Sequence, residues 1–191
     1  MTETVAYEIT GKIGQIEFRK YPRMVLATVP DDGDDRGFNV LFTYITGNNQ
    51  TRTKIPMTAP VITSEKIQMT APVISDERSM SFVIPEGKRE EDIPVPLDQR
   101  VKISTLPPRE VAVIQFKGYA PQEDVNAAKV RLLEGLKKAG ITVTGQPILM
   151  RYNAPWTPGF LRKNEVGVEI TRKKPGMKNG LIFISDRNSL L

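Results

Sequence analysis

The chain has 191 residues and a mass of 21.4 kDa, enough for one ordinary domain with a buried core. It is 39% hydrophobic and 26% charged, and it contains neither cysteine nor histidine. Disulfide frameworks, thiolate zinc sites, iron–sulfur clusters, Ser-His-Asp triads and imidazole acid–base chemistry are therefore excluded, and any catalysis would rest on Asp, Glu, Lys, Tyr, Ser or Thr. The net charge of +5 favours anionic partners through the long-range field alone. The basic residues Arg162, Lys163, Arg172, Lys173, Lys174 and Lys178 are interrupted by Glu165 and Glu169. That composition is a solvated face, and no specific nucleic-acid partner is expected. The N-terminus MTETVAYEIT has no apolar run behind a basic region, and no stretch is long enough to span a bilayer. A cytoplasmic protein without membrane insertion is the expectation.

In chain order, Val5 to Phe18 reads as two strands around a turn with Gly11 and Gly14, and Met24 to Val29 as a third strand after Tyr21-Pro22-Arg23. The acidic turn Asp31-Asp32-Gly33-Asp34-Asp35 supplies helix N-cap candidates. Phe38, Leu41, Phe42 and Ile45 then fall at i, i+3, i+4 and i+7, the apolar stripe of a helix that Gly47 and Asn48 can stop.

A duplication follows. KIPMTAPVITSE at 54–65 precedes KIQMTAPVISDE at 66–77, with 9 of 12 positions identical. In each copy Ile, Met, Ala and Val alternate with polar residues or proline (Ile55, Met57, Ala59, Val61; Ile67, Met69, Ala71, Val73), the period of a half-buried strand. The spacing predicts two successive strands with a turn near Thr63-Ser64-Glu65. Pro60 and Pro72, having no N–H to donate, are expected at strand ends or on an edge.

Strands are predicted at 80–84 and 101–105. Pro108-Arg109-Glu110-Val111-Ala112-Val113 echoes Pro22-Arg23-Met24-Val25-Leu26-Ala27, and each leads to a loop and a helix. In the second helix Pro121 suits the first turn, Val125, Ala128, Leu132 and Leu136 form the stripe, and Gly140 ends it. Strands at 146–152 and 165–171 complete the set, joined by a proline-rich segment that holds Trp156. The halves, approximately 5–85 and 100–172, read as diverged pseudo-repeats. Together they give an α+β domain over 1–172, in which antiparallel strands form a shared sheet or distorted barrel with two flanking helices. Residues 173–191 form an extension whose Leu181-Ile182-Phe183-Ile184 run reads as a final strand, with a partner-binding strand as the alternative.

FNVLFTYITGNN, the KIPMTAPV and KIQMTAPV pair, PPREVAVIQFKGYA and RYNAPWTPGFLRKNEV together resemble the SOUL heme-binding protein family. The resemblance covers most of residues 5–171. It implies a distorted eight-stranded barrel with two helices, built from two pseudo-repeats, and tetrapyrrole binding in some members. More distantly the chain is similar to the ligand-binding domains of the gyrase-inhibitor-like group, without a helix-turn-helix segment.

The ligand slot that the resemblance implies lies against the first helix, at Phe38, Leu41, Phe42 and Ile45, with Arg36 the one cation on that helix for a propionate. Heme iron often takes an axial ligand from His, Met, Cys or Tyr. Met57, Met69, Tyr44 and Tyr152 are chemically suited here, but with no histidine in the chain strong axial coordination is not expected. Trp156 with Pro155 and Pro158 makes either an apolar lip beside a pocket, with Arg162 or Lys163 reaching an anionic group, or a lid on the core. A hydrolase reading through the gyrase-inhibitor-like group would need Tyr44, Tyr152, Glu110 and Glu165 to converge on a cavity. The function expected is non-catalytic binding of heme, another tetrapyrrole or a hydrophobic anion by a monomer. Its role would be buffering, transport or sensing. A module for another hydrophobic small molecule, or a small-molecule hydrolase, is the alternative.

Overall fold

A computed structural model describes residues 3–30, 36–64, 79–85, 87–153 and 157–172. The acidic turn at 31–35, the second copy of the duplicated motif with Met69, the tryptophan at 156 and the run at 181–184 lie outside the described residues.

Eleven strands form one sheet among the described residues. They are β1 (Glu3–Thr4), β2 (Glu8–Ile13), β3 (Ile16–Tyr21), β4 (Met24–Pro30), β5 (Thr58–Ser64), β6 (Ser79–Val83), β7 (Lys102–Leu106), β8 (Arg109–Lys117), β9 (Thr142–Val143), β10 (Ile148–Arg151) and β11 (Lys163–Thr171). Two helices, α1 (Arg36–Ile45) and α2 (Gln122–Lys138), complete the fold. The strand order is β2-β3-β8-β11-β10-β5-β6-β4-β7, antiparallel along this path, with β1 parallel beside β5 and β9 antiparallel beside β11.

Two short links force this sheet to curl. β3 and β4 stand six places apart in the strand order, about 29 Å in a flat sheet at ~4.8 Å per strand. Only Pro22 and Arg23 connect them, a reach of at most about 11 Å. Pro107 and Pro108 join β7 to β8 across the same gap. The two halves therefore face each other, and Tyr21, Met24, Leu26, Ile62, Val83, Val111, Val113 and Met150 pack between them as an interior core. Among the described residues no ladder joins β2 to β7, so the barrel is distorted and open.

A helix covers each outer face. α2 lays Val125, Ala128, Leu132 and Leu136 on Ile16, Phe18, Ala112, Ile114, Val166 and Val168, while α1 packs against Val25, Ala27, Val29 and Phe82. With both faces of β8 covered, Val111 and Val113 point inward and Ala112 and Ile114 outward. The continuous apolar run in its sequence follows from this double burial. Both helices end in the same way. The Asn48 N–H donates to the Thr43 carbonyl and the Gly47 N–H to Tyr44, with Gly47 at φ 124°. Ile141 and Gly140 repeat the pattern on Leu136 and Lys137.

Two expectations for the duplicated segment change. β5 is a central strand, bounded by β6 on one side and by β10 and β1 on the other. Pro60 lies inside this strand rather than at an end. It is tolerated because the β5–β6 register shifts between Thr58 and Val61, and because β1 pairs 58–59 while β10 pairs 61–64, so no ladder asks Pro60 for an N–H. Burial of Thr58, Ala59, Pro60 and Ile62 on both faces replaces the expected half-buried alternation.

Candidate functional site

The face of α1 turned to the core differs by one helical step from the stripe that its hydrophobic residues suggest. Gly37, Leu41, Tyr44 and Ile45 are buried, and the Tyr44 hydroxyl donates to the Pro94 carbonyl at 2.7 Å. Tyr44 thus takes the inward position that periodicity offers to Phe42, because its one polar atom finds a partner there. Phe42 is left 45% exposed. Its ring stacks on Phe38 at 6.0 Å and 11° between planes, and Phe38 meets Phe82 edge-on at 5.3 Å. The three rings form a step from core to solvent. Leu41, Ile45, Phe38 and Met57 belong to one packed cluster beneath it, and Arg36 stands exposed at the helix start.

Tyr152 and Arg162 are not part of this face. The Arg162 Nε donates to the Thr157 carbonyl at 2.6 Å, and its guanidinium lies 4.7 Å from the Tyr119 ring centre. Tyr152 turns into the interior. Of the four residues whose convergence a hydrolase would need, two meet: the Tyr152 hydroxyl donates to Glu165 Oε2 at 2.6 Å. Tyr44 is held at Pro94, and Glu110 binds Thr10 and Arg172 on the β2 edge.

Around Glu165 is a charged cluster that the sequence reading missed. Arg19 reaches the carboxylate with two nitrogens, at 2.6 and 3.0 Å, and Lys163 Nζ lies 3.0 Å away. Arg19 also holds Glu17 at 2.6 Å and lies 4.3 Å from the Tyr7 ring centre, while Lys163 sits 4.4 Å from that of Tyr152. Glu165 is 0% exposed and Arg19 2%. The signal was present in IEFRKY: strand alternation puts Ile16 and Phe18 toward α2 and turns Glu17, Arg19 and Tyr21 to the opposite face.

Burial acts to raise the Glu165 pKa, but hydrogen bonds from Arg19 and Tyr152 and the charges of Arg19 and Lys163 outweigh it, so the carboxyl is held below its ordinary range. Burial, with the Glu165 charge beside it, pushes Tyr152 up. Arg19 is raised despite burial, through its bonds to Glu165, Tyr21 and Glu17. A carboxylate with both oxygens occupied by cations and a phenol that resists ionisation make a poor proton-transfer pair at neutral pH. The arrangement serves to neutralise charge inside the barrel.

Among the described residues no group of three His, Cys, Asp or Glu is placed to hold a metal. The α1 face presents one exposed ring, Phe42, stacked on the partly buried Phe38. For an iron ligand, burial pushes the Tyr44 phenol up to about 12 and its hydroxyl is already engaged, which leaves the half-buried Met57 and Met80 thioethers as the axial-type groups of that cluster.

The SOUL heme-binding protein family model matches residues 2–169. No curated protein matches the chain significantly. Among solved structures, the C-terminal domain of EcmrR is 14% identical with TM-score 0.57, over 85% of this chain and 100% of that one. A hydrolase from Listeria innocua is 13% identical with TM-score 0.54, over 85% and 94%. An uncharacterized conserved protein from Listeria innocua is 13% identical with TM-score 0.55, over 82% and 92%. At these identities the likeness is one of fold.

Proposed function

Because this chain belongs to the SOUL heme-binding protein family, we propose that it binds heme or another tetrapyrrole, without histidine ligation and without catalysis, on the face of α1. The observation that carries this reading is Phe42, a large aromatic left 45% exposed and stacked on Phe38 at the edge of a packed cluster. A macrocycle laid on this ring pair removes apolar surface from water, with Leu41 and Ile45 holding the helix rigid beneath it. Arg36 offers its charge to a propionate and Met57 its thioether to the iron side. Binding by apolar contact, with the iron contributing little, suits buffering, transport or sensing by a cytoplasmic monomer.

The test is parallel titration of the purified, tag-free protein with hemin and with metal-free protoporphyrin, in wild type and Phe42→Asp. The reading expects similar affinities for the two ligands, a loss of about tenfold or more in Phe42→Asp with an unchanged melting temperature, and no spectral signature of imidazole ligation. Undiminished binding in Phe42→Asp overturns the assignment to α1. Failure of both ligands to saturate the wild type points to another hydrophobic small molecule.

A further inference from the structure

β2 stands at one end of the strand order. Among the described residues it pairs with β3 alone, so its far edge borders the opening of the barrel and offers backbone groups that no described strand takes up. This edge is apolar on both sides. Ile13 pairs with Ile16 on the face turned to α2, Ile9 pairs with Arg19 on the opposite face, and the two isoleucines are 46% and 58% exposed. An edge strand facing only water ordinarily carries polar side chains at such positions.

The chain leaves the described residues beside this edge. Glu169, Val111, Arg19 and Ile9 lie level across β11, β8, β3 and β2, so the end of β11 at Thr171 falls at the Glu8 end of β2. Arg172 then reaches β2 itself: its guanidinium donates to Thr10 Oγ1 at 2.6 Å and to Glu110, and lies 4.7 Å from the Phe18 ring centre. Lys173 to Gly180 follow, with the turn pairs Pro175-Gly176 and Asn179-Gly180. That spacer reaches at most about 30 Å. The place beyond β2 is four strand spacings from β11, about 19 Å. After the spacer comes Leu181-Ile182-Phe183-Ile184, a proline-free run that is apolar at every position, as in a strand covered on both faces.

We infer that the β2 edge is the docking surface for residues 181–184 of the same chain, which add a strand parallel to β2, entering at its Glu8 end. Alternate residues of the run cover Ile13 beside α2, and the others cover Ile9 on the opposite face. The pairing satisfies the outward backbone groups of β2 and removes a template for the strand of another chain. Arg172, pinned on Thr10, aims the spacer toward this edge.

The chain has no cysteine, so engineered pairs report contact without background. In the full chain Lys12→Cys, at an exposed position of β2, is combined in turn with Leu181→Cys, Ile182→Cys, Phe183→Cys or Ile184→Cys and oxidised. One alternate set, 181 and 183 or 182 and 184, forms the intramolecular disulfide about tenfold or more faster than the other. The same four positions combined with Lys102→Cys on the β7 edge form none. Independently, the outward amides of β2 exchange with deuterium about tenfold or more faster in Ile182→Asp/Phe183→Asp than in wild type, while those of β8 and β11 are unchanged. Unchanged exchange in β8 separates an undocked segment from a lost fold. Cross-links formed only between chains, equal rates at all four positions, cross-linking to Lys102→Cys instead, or β2 exchange indifferent to the double variant overturns the inference.

Discussion

Replacing Arg19 by methionine tests whether the interior charge cluster holds the barrel together. Glu165, at 0% exposure, would keep only Tyr152 and the partly exposed Lys163, having lost the guanidinium that binds both its oxygens at 2.6 and 3.0 Å. Removing one partner of a buried ion pair costs about 3–5 kcal/mol, a large share of a typical total stability of roughly 5–15 kcal/mol. For a domain of this size that lowers the melting temperature by roughly 6–20 °C, taking ~2–4 °C per kcal/mol. Urea unfolding and thermal melts give the value directly. Arg19→Met combined with Glu165→Leu should be more stable than Arg19→Met alone, because no orphaned charge remains. The pH dependence carries the matching sign. Glu165 is held below its ordinary value of 4.5 in the folded chain, so its contribution is complete above that value and is lost as pH falls through the lowered one. Glu165→Gln should flatten this acid limb. A loss under about 1 kcal/mol in Arg19→Met, or strict additivity in the double variant, would refute a structural role for the pair.

Leu41→Ala should cost about 2–5 kcal/mol in urea unfolding, because its side chain is fully buried in the α1 cluster, whereas Phe42→Ala should cost under about 1 kcal/mol. Deleting residues 66–77, with Glu65→Asn and Arg78→Gly, should leave circular dichroism and the urea m-value close to wild type. Ser64 and Ser79 are already paired, and the deletion joins them by a two-residue turn. A collapsed m-value would mean that the second copy of the motif supports the sheet. Glu110→Gln should change stability by less than about 1 kcal/mol, since its bond to Arg172 is partly exposed, and that small term should vanish in acid, where the folded carboxylate is protonated.

Local chemistry made much of this fold readable in advance. The stripe Val125, Ala128, Leu132 and Leu136 and the stops at Gly47 and Gly140 depend on residues within two turns of one another, so the sequence alone determines them. Strands β3, β4, β6 and β7 were legible for the same reason, from short strand-forming runs bounded by turn residues. The absence of histidine and cysteine settled which chemistries the chain cannot perform. What the chain order hides is pairing across distance. Arg19 and Glu165 lie 146 positions apart and meet because β3 and β11 flank β8, which no local pattern specifies. The central place of β5 was decided in the same way, by β10 and β1 arriving on the edge opposite β6, and the bulge there removed the usual objection to Pro60. The choice of Tyr44 over Phe42 for the inner face of α1 rested on the Pro94 carbonyl, 50 positions on, ready to receive a hydroxyl. Periodicity ranks faces by apolar content, but only tertiary contact supplies the partner that makes a polar atom cheap to bury.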